Sequence, residues 1–356
     1  MAEKIKVAIA GVGNCASALI QGIHYYKSMK EKDPTGLTAY NLAGYTPEDI
    51  EFVAAFDVSD SKVGLDVSEA IFSEPNNAMK IISLDRLDVK VNKGEVLDGV
   101  GKHLAEKIRI SDIPVADVSN ILKDTNTDIL LNYLPVGSRE ATKFYAQKCL
   151  DSGVSFINAI PVFIASEPHW QTAFKDNNVL CAGDDIMSQV GATVVHKTLV
   201  KLFIDRGVKV DDTYQLNIGG DMDFYNMLDD ERLEDKRISK TSAVEAMSPY
   251  TIPMRIGPSD YVSSLKNDKI CYINIRGKKF GNIPIELDLK LRVADAYNSA
   301  GIMIDAIRAT KIGIDRGLSG SLESVSAYCF KHPPIQMSYT KAKENFQEFV
   351  KGRKDI

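Results

Sequence analysis

From its first residues the chain sets short apolar runs against longer segments whose apolar positions return every three or four residues, the periods of buried strand and amphipathic helix. The run IKVAIA at 5–10 predicts a fully buried strand, stopped by Gly11 and Gly13. A second strand, 51–56, closes on Asp57, and a helix is expected over 59–71. The polar tract that follows, with Asn76, Asn77, Gly94, Asp98, Gly99 and Gly101, reads as loops and short elements lying over a ligand. Regularity resumes with helix 115–123, strand 128–133, helix 138–152, strand 154–158, helix 167–176 and strand 179–182. Such alternation predicts an α/β, doubly wound parallel sheet.

Past residue 188 the pattern changes. A helix over 192–206 leads to strands at 208–218, 270–276 and 283–293, which predict a second, α+β unit with a mainly antiparallel sheet. Helices over 298–316 and 339–351 are expected to return to the first sheet. The division is therefore 1–187, 188–297 and 298–356.

Composition narrows the classes. With 44% hydrophobic residues and a net charge of -5, the chain can build a large core and has no basic excess for nucleic acid or anionic membrane. Five scattered cysteines without a CxxC read as reduced thiols of a cytoplasmic protein, and five histidines without HxxxH spacing argue against a histidine zinc site. The start MAEKIKV has no signal-peptide apolar region, and no run of 18 apolar residues occurs.

The first strand and its glycines carry the clearest chemistry. Gly11 turns the chain off the strand, Gly13 leaves room for a pyrophosphate, and Ala16 lets the next helix pack closely. The helix start, with Asn14 and Cys15, offers free N–H groups to phosphate, and Asp57 suits the ribose hydroxyls of NAD or else caps a helix. Asp57 comes late for that motif, which implies an insertion over about 25–49. Loops at 135–138, 158–161 and 183–185 end later strands and should line the cleft, with Pro135 and Asp184 on the cofactor side.

Ser188, Gln189, Gly191 and Thr193, ahead of the 192–206 helix, form either a phosphate site or a simple cap. Asn217, Asp221, Asp223 and Asn226 supply oxygens for a polyol or for a hard cation, monovalent or divalent, or else cap a turn. Lys236 and Lys240, four apart, share one helix face, where two ammonium groups repel unless an anion or water lies between them. Lys269, Lys331 and Asp295 are weaker candidates taken alone.

These segments together resemble the 1L-myo-inositol-1-phosphate synthases, in the shorter prokaryotic branch. GVGNCAS (11–17), FVAAFDV (52–58), LPVGS (134–138), NAIPVFIAS (158–166), GDD with SQVGAT (183–193), GGDMDF (219–224), KRISKT (236–241), IGPSD (256–260), NSAG (298–301) and SAY with KHPP (326–334) occur in the family's order. The resemblance implies a Rossmann-type NAD domain, a catalytic domain that also builds a homotetramer, and conversion of D-glucose 6-phosphate to inositol 1-phosphate without net redox change. It places Lys236, Lys240, Lys269 and Lys331 in the catalytic site with Asp185 and Asp295. Many relatives carry a lysine where this chain has Met187, which leaves open a related cyclase on another hexose phosphate. The glycine turn alone suits a net sugar-phosphate dehydrogenase equally well, and an idle NAD sensor is a third alternative.

Overall fold

The computed structural model describes residues 3–355. β1 (Ile5–Ala10) is buried on both faces, with Ile5, Val7 and Ile9 in one core and Ala8 and Ala10 in the other, as the two-residue period of a strand requires. There follow α1 (Asn14–Ser28), β2 (Ile50–Asp57), α2 (Val67–Ala70), β3 (Val91–Lys93), α3 (Val118–Asp124) and β4 (Ile129–Asn132). Next come α4 (Arg139–Ser152), β5 (Ser155–Asn158), α5 (Pro168–Asp176) and β6 (Leu180–Ala182). These strands pair in parallel in the order 3-2-1-4-5-6. The order reverses between β1 and β4, and the carboxyl ends of such strands open a crevice there.

A second sheet lies beyond α6 (Ala192–Asp205). It is built with β7 (Lys209–Gly219), α7 (Met222–Asn226), α8 (Glu234–Glu245), β8 (Met254–Tyr261), β9 (Asp268–Lys278) and β10 (Pro284–Ala294), in the strand order β10-β9-β7-β8. β9 is antiparallel to both neighbours, but β8 runs parallel to β7 because α7 and α8 carry the chain back before it pairs. The sheet is thus mixed. Val200 and Phe203 of α6 and Val244 of α8 pack with Ile273 and Ile275 on its inner face.

The chain then returns to the first sheet. α9 (Asp295–Asp315) is buried along most of its length, β11 (Gly320–Ser321) adds a seventh strand beside β6, and α10 (Glu323–Cys329) and α11 (Tyr339–Val350) follow. Arg308 of α9 is fully buried, paired with Asp305, and donates to the carbonyls of Ala39, Tyr40 and Tyr45. It thereby fastens the irregular insertion between α1 and β2.

One expected element changes, and β8, β11 and α10 are additions to those expected. The helix expected over 59–71 is reduced to α2, because Gly64 adopts φ +95° and Asp66 starts a fresh helix by accepting from the Ser68 N–H. β8 contains Gly257 and Pro258, strand-breaking residues accommodated at a sheet edge, and the sequence pattern misses it. β11 and α10 are too short for periodicity to reveal.

Candidate active site

One continuous cleft runs from the glycine turn to a group of lysines. At the turn, Gly11 has φ +93°, and a Cβ there would lie 2.5 Å from the Tyr133 carbonyl oxygen, so a side chain is barred twice over. At Gly13 an added Cβ would meet nothing within 4 Å: the space above it is open to the cleft. Gly13 is the N-cap of α1 without a side-chain cap, which leaves first-turn N–H groups free for an anion. Val96, Val100, Leu104, Ile108, Leu134 and Val136 give the same end an apolar wall suited to a flat heterocycle. Backbone donors, open space and apolar wall fit a dinucleotide.

Asp57 lines this end, yet its carboxylate already works as a brace. Oδ2 accepts from the Val12 N–H at 2.8 Å, and Oδ1 accepts from the N–H groups of Val58 and Ser59. It caps the turn after β2, not a helix. Asn14 uses its side chain to hold the 77–78 backbone, its Oδ1 accepting from Asn77 N and Ala78 N. Cys15 faces the cleft as a neutral thiol, pushed up to about 12 by burial and then by Asp295, Asp221 and Asp223. Pro135 also lines the cleft.

At the far end three separate parts of the chain contribute four lysines. Lys236 and Lys240 come from one face of α8, Lys269 from the start of β9, and Lys331 from just after α10. Asp185 joins them. Its Oδ1 accepts from Lys331 Nζ at 2.8 Å and lies 3.6 Å from Lys236 Nζ, while Oδ2 accepts from Ser239 at 2.7 Å. Burial pushes this carboxyl up, but Lys236 and Lys331 overcome it and hold it at about 2. Lys269 Nζ donates to Asp295 at 2.6 Å, at the first residue of α9.

The lysines differ in charge state. Burial disfavours the ammonium of Lys236, but Asp185, Asp223 and Asp295 outweigh it and raise the group above its ordinary value; Asp295 does the same for Lys269. Lys240 has no ion-pair partner among the described residues. Burial, then Lys236, Lys269 and Lys331, push it well below the usual lysine range. Lys331 is lowered too, by burial and then by Lys236 and Lys269 against the pull of Asp185.

Of the remaining candidates, Ser188, Gly191, Thr193, Asn217, Asp221 and Asp223 line the cleft. Gly191 is the N-cap of the 14-residue α6 and has no side-chain cap, so that helix start offers free N–H groups. Asp221 caps α7 through the N–H groups of Asp223 and Phe224, and is raised by burial and by Asp295 and Asp223. Asn217 donates to the Gly257 carbonyl. No cluster of three or more His, Cys, Asp or Glu side chains placed to hold a metal occurs among the described residues.

Two candidates do not reach the cleft. Asp184 is fully buried and accepts from Asn158, from the N–H groups of Ile164, Ala165 and Ser166, and from the Ser166 hydroxyl, so it shapes a loop and not a ligand site. Gln189 donates to the Gly36 carbonyl at 2.7 Å, on the far side of its segment. Met187 also faces away, into a separate hollow with Leu37, Thr38, Tyr328 and Tyr339, so the absence of a lysine there removes no charge from the site. Sequence reasoning missed Lys62 and Ser239 and read Asn76 only as part of a tract lying over a ligand; all three meet their partners only through the fold.

A Rossmann sheet whose crevice ends in a set of lysines defines an enzyme that stabilises negative charge on a reacting substrate. The myo-inositol-1-phosphate synthase family profile matches residues 191–296, and two curated relatives span almost the whole chain. These are the inositol-3-phosphate synthases of Mycolicibacterium smegmatis, 49% identical over 99% of both chains, and of Corynebacterium glutamicum, 46% identical over 97% of this chain and 98% of that one. The crystal structure of a myo-inositol-1-phosphate synthase-related protein from Thermotoga maritima is 26% identical, covering 98% of this chain and 99% of that one at a TM-score of 0.85. The chain belongs to the inositol-3-phosphate synthase family.

Proposed function

We propose that this enzyme converts D-glucose 6-phosphate to 1L-myo-inositol 1-phosphate with NAD, and that residues 188–297 carry most of the catalytic groups. The observation that carries the reading is the gathering of four lysines at one end of a cleft whose other end is a glycine turn. When bound, NAD supplies the acceptor and later the donor of a hydride at C5. Gly11, Gly13, Asn14, Cys15, Asp57 and Pro135 would hold it.

Oxidation at C5 acidifies the C6 proton, which lets C6 attack the C1 aldehyde in an aldol closure. Negative charge then develops in turn on O5, on the enolate and on O1. Lys236 and Lys331, kept together by Asp185, are suited to O5, and Lys269, kept charged by Asp295, to O1. Lys240 is the proton acceptor at C6: a buried amine without a carboxylate is neutral nearer to physiological pH than a paired one. Ser188, Gly191, Thr193 and the start of α6 bind the substrate phosphate. Asp221 and Asp223 orient hydroxyls, and no step of this reading runs through a cation.

The subunit assembles as a homotetramer in the cytoplasm. Phe280 is 97% exposed at the tip of the β9–β10 hairpin, and edge strand β10 leaves Ile285, Leu287, Leu289 and Leu291 half-covered, an apolar margin suited to a second copy. All five cysteines are free, and no helix of the described residues is long and apolar enough to cross a membrane. Incubation with glucose 6-phosphate and NAD, followed by phosphorus NMR, should show a cyclitol phosphate without lasting NADH. A folded, NAD-loaded enzyme that forms none overturns the reading.

A further inference from the structure

We infer that Lys62 is a positioning residue of the dinucleotide site, which with Asn76 aims the Gly13 amide into the cleft. This rests on the cofactor reading above. Lys62 is 5% exposed, and its Nζ donates to the Val12 carbonyl at 2.9 Å and to Asn76 Oδ1 at 3.1 Å. Asn76 Nδ2 donates to the same carbonyl at 3.0 Å and to that of Ile71 at 3.1 Å. The Val12 N–H is held by Asp57 at 2.8 Å, and Lys62 lies 3.8 Å from that same carboxylate oxygen. Val12 is thus gripped by an acid at its N–H and by a base at its carbonyl.

In a planar trans peptide the carbonyl and the following N–H point in opposite directions. With the Val12 carbonyl turned toward Lys62 and Asn76, the Gly13 N–H points the opposite way, no acceptor among the described residues takes it, and Gly13 itself lines the cleft. A lysine beside the acid at the end of β2 could instead read a ribose 2′-phosphate. Here its ammonium is turned inward onto the turn, and Asp57 already accepts three backbone N–H groups. Lys62 therefore governs how tightly the pyrophosphate is held and not which dinucleotide is chosen.

The test is calorimetric titration of the full-length protein with NADH and with NADPH, beside KM and kcat for NAD and a thermal melt without ligand. Lys62→Met should weaken NADH about tenfold, the loss of a charge-assisted contact, and weaken NADPH by the same factor. KM for NAD should rise with it while kcat falls much less. Asn76→Ala, which leaves Lys62 on the carbonyl, should weaken NADH by a smaller factor, and the double variant by less than the product of the two, since both act on one oxygen. NADH affinity unchanged in a folded Lys62→Met protein, or a large change in the NADH-to-NADPH ratio, overturns the inference. Should Lys62→Met not fold, unchanged affinity in Asn76→Ala overturns it. A folded wild-type protein that binds neither nucleotide overturns the cofactor reading instead.

Discussion

At the glycine turn the groups that face the cleft are peptide N–H groups, and side chains such as Asp57, Lys62 and Asn76 stand behind them as supports. At the lysine end the reverse holds: the backbone stands behind, and ammonium and carboxylate groups from α8, β9, α9 and the segment after α10 meet in front. A backbone site gives way only by degrees when a supporting side chain such as Lys62 is removed, because the donors themselves remain. A side-chain site does not, because each group is its own donor and its neighbour's counter-charge.

The largest effect should come from the lysine end. Replacing Lys236 or Lys331 with Ala should reduce kcat by about 10³ or more, on the scale of a lost oxyanion donor with its network disturbed, while NAD still binds; near-normal turnover in both removes the assignment. Asp185→Asn should cost about 3–5 kcal/mol of stability in thermal melts, since it leaves two buried ammonium groups without their shared acid.

Lys240→Met separates charge from structure. It should lower kcat by about 10²–10⁴, the range of a lost general base, yet leave the melting temperature at or above the wild-type value because no partner is orphaned. A marked fall in melting temperature would mean that Lys240 is paired after all.

Adjacent acids give a finer test. Burial raises Asp184 to about 6, so its contribution to stability is complete below the unfolded carboxyl value and is lost as pH rises through about 6. Lys236 and Lys331, against burial, hold Asp185 at about 2, so its contribution is complete above the unfolded value and is lost as pH falls toward about 2. In melts across acid and neutral pH, the deficit of Asp185→Asn should grow with pH and that of Asp184→Asn should shrink. Parallel curves would contradict the difference in surroundings. The smallest effect belongs to Met187→Lys, which should leave kcat within about twofold, since that side chain faces the other hollow.

Legibility divides along the same line. The glycine turn could be read from spacing because its donors belong to residues adjacent in the chain, and β1 declared itself by an unbroken apolar run. Lys236 and Lys240 were visible as one helix face, but nothing local links them to Lys269 or Lys331; the family resemblance, not periodicity, drew those together. Asp184 and Asp185 are indistinguishable in sequence, and only the fold turns one into a loop and the other toward the amines. Lys62 was unreadable for the same reason, since its partner Val12 lies 50 residues upstream. β8 was hidden by Gly257 and Pro258, whose usual meaning in a strand fails at a sheet edge.

The return of the C-terminal segment to the first sheet has a consequence during synthesis. Six parallel strands are complete once residue 182 has left the ribosome, but the outermost strand arrives at Gly320 and the last amine of the site at Lys331. A nascent chain can pair six strands of its sheet before α9, α10 and α11 arrive to cover one face and Lys331 to complete the amine cluster, so a product truncated ahead of Lys331 is expected to form no cyclitol phosphate.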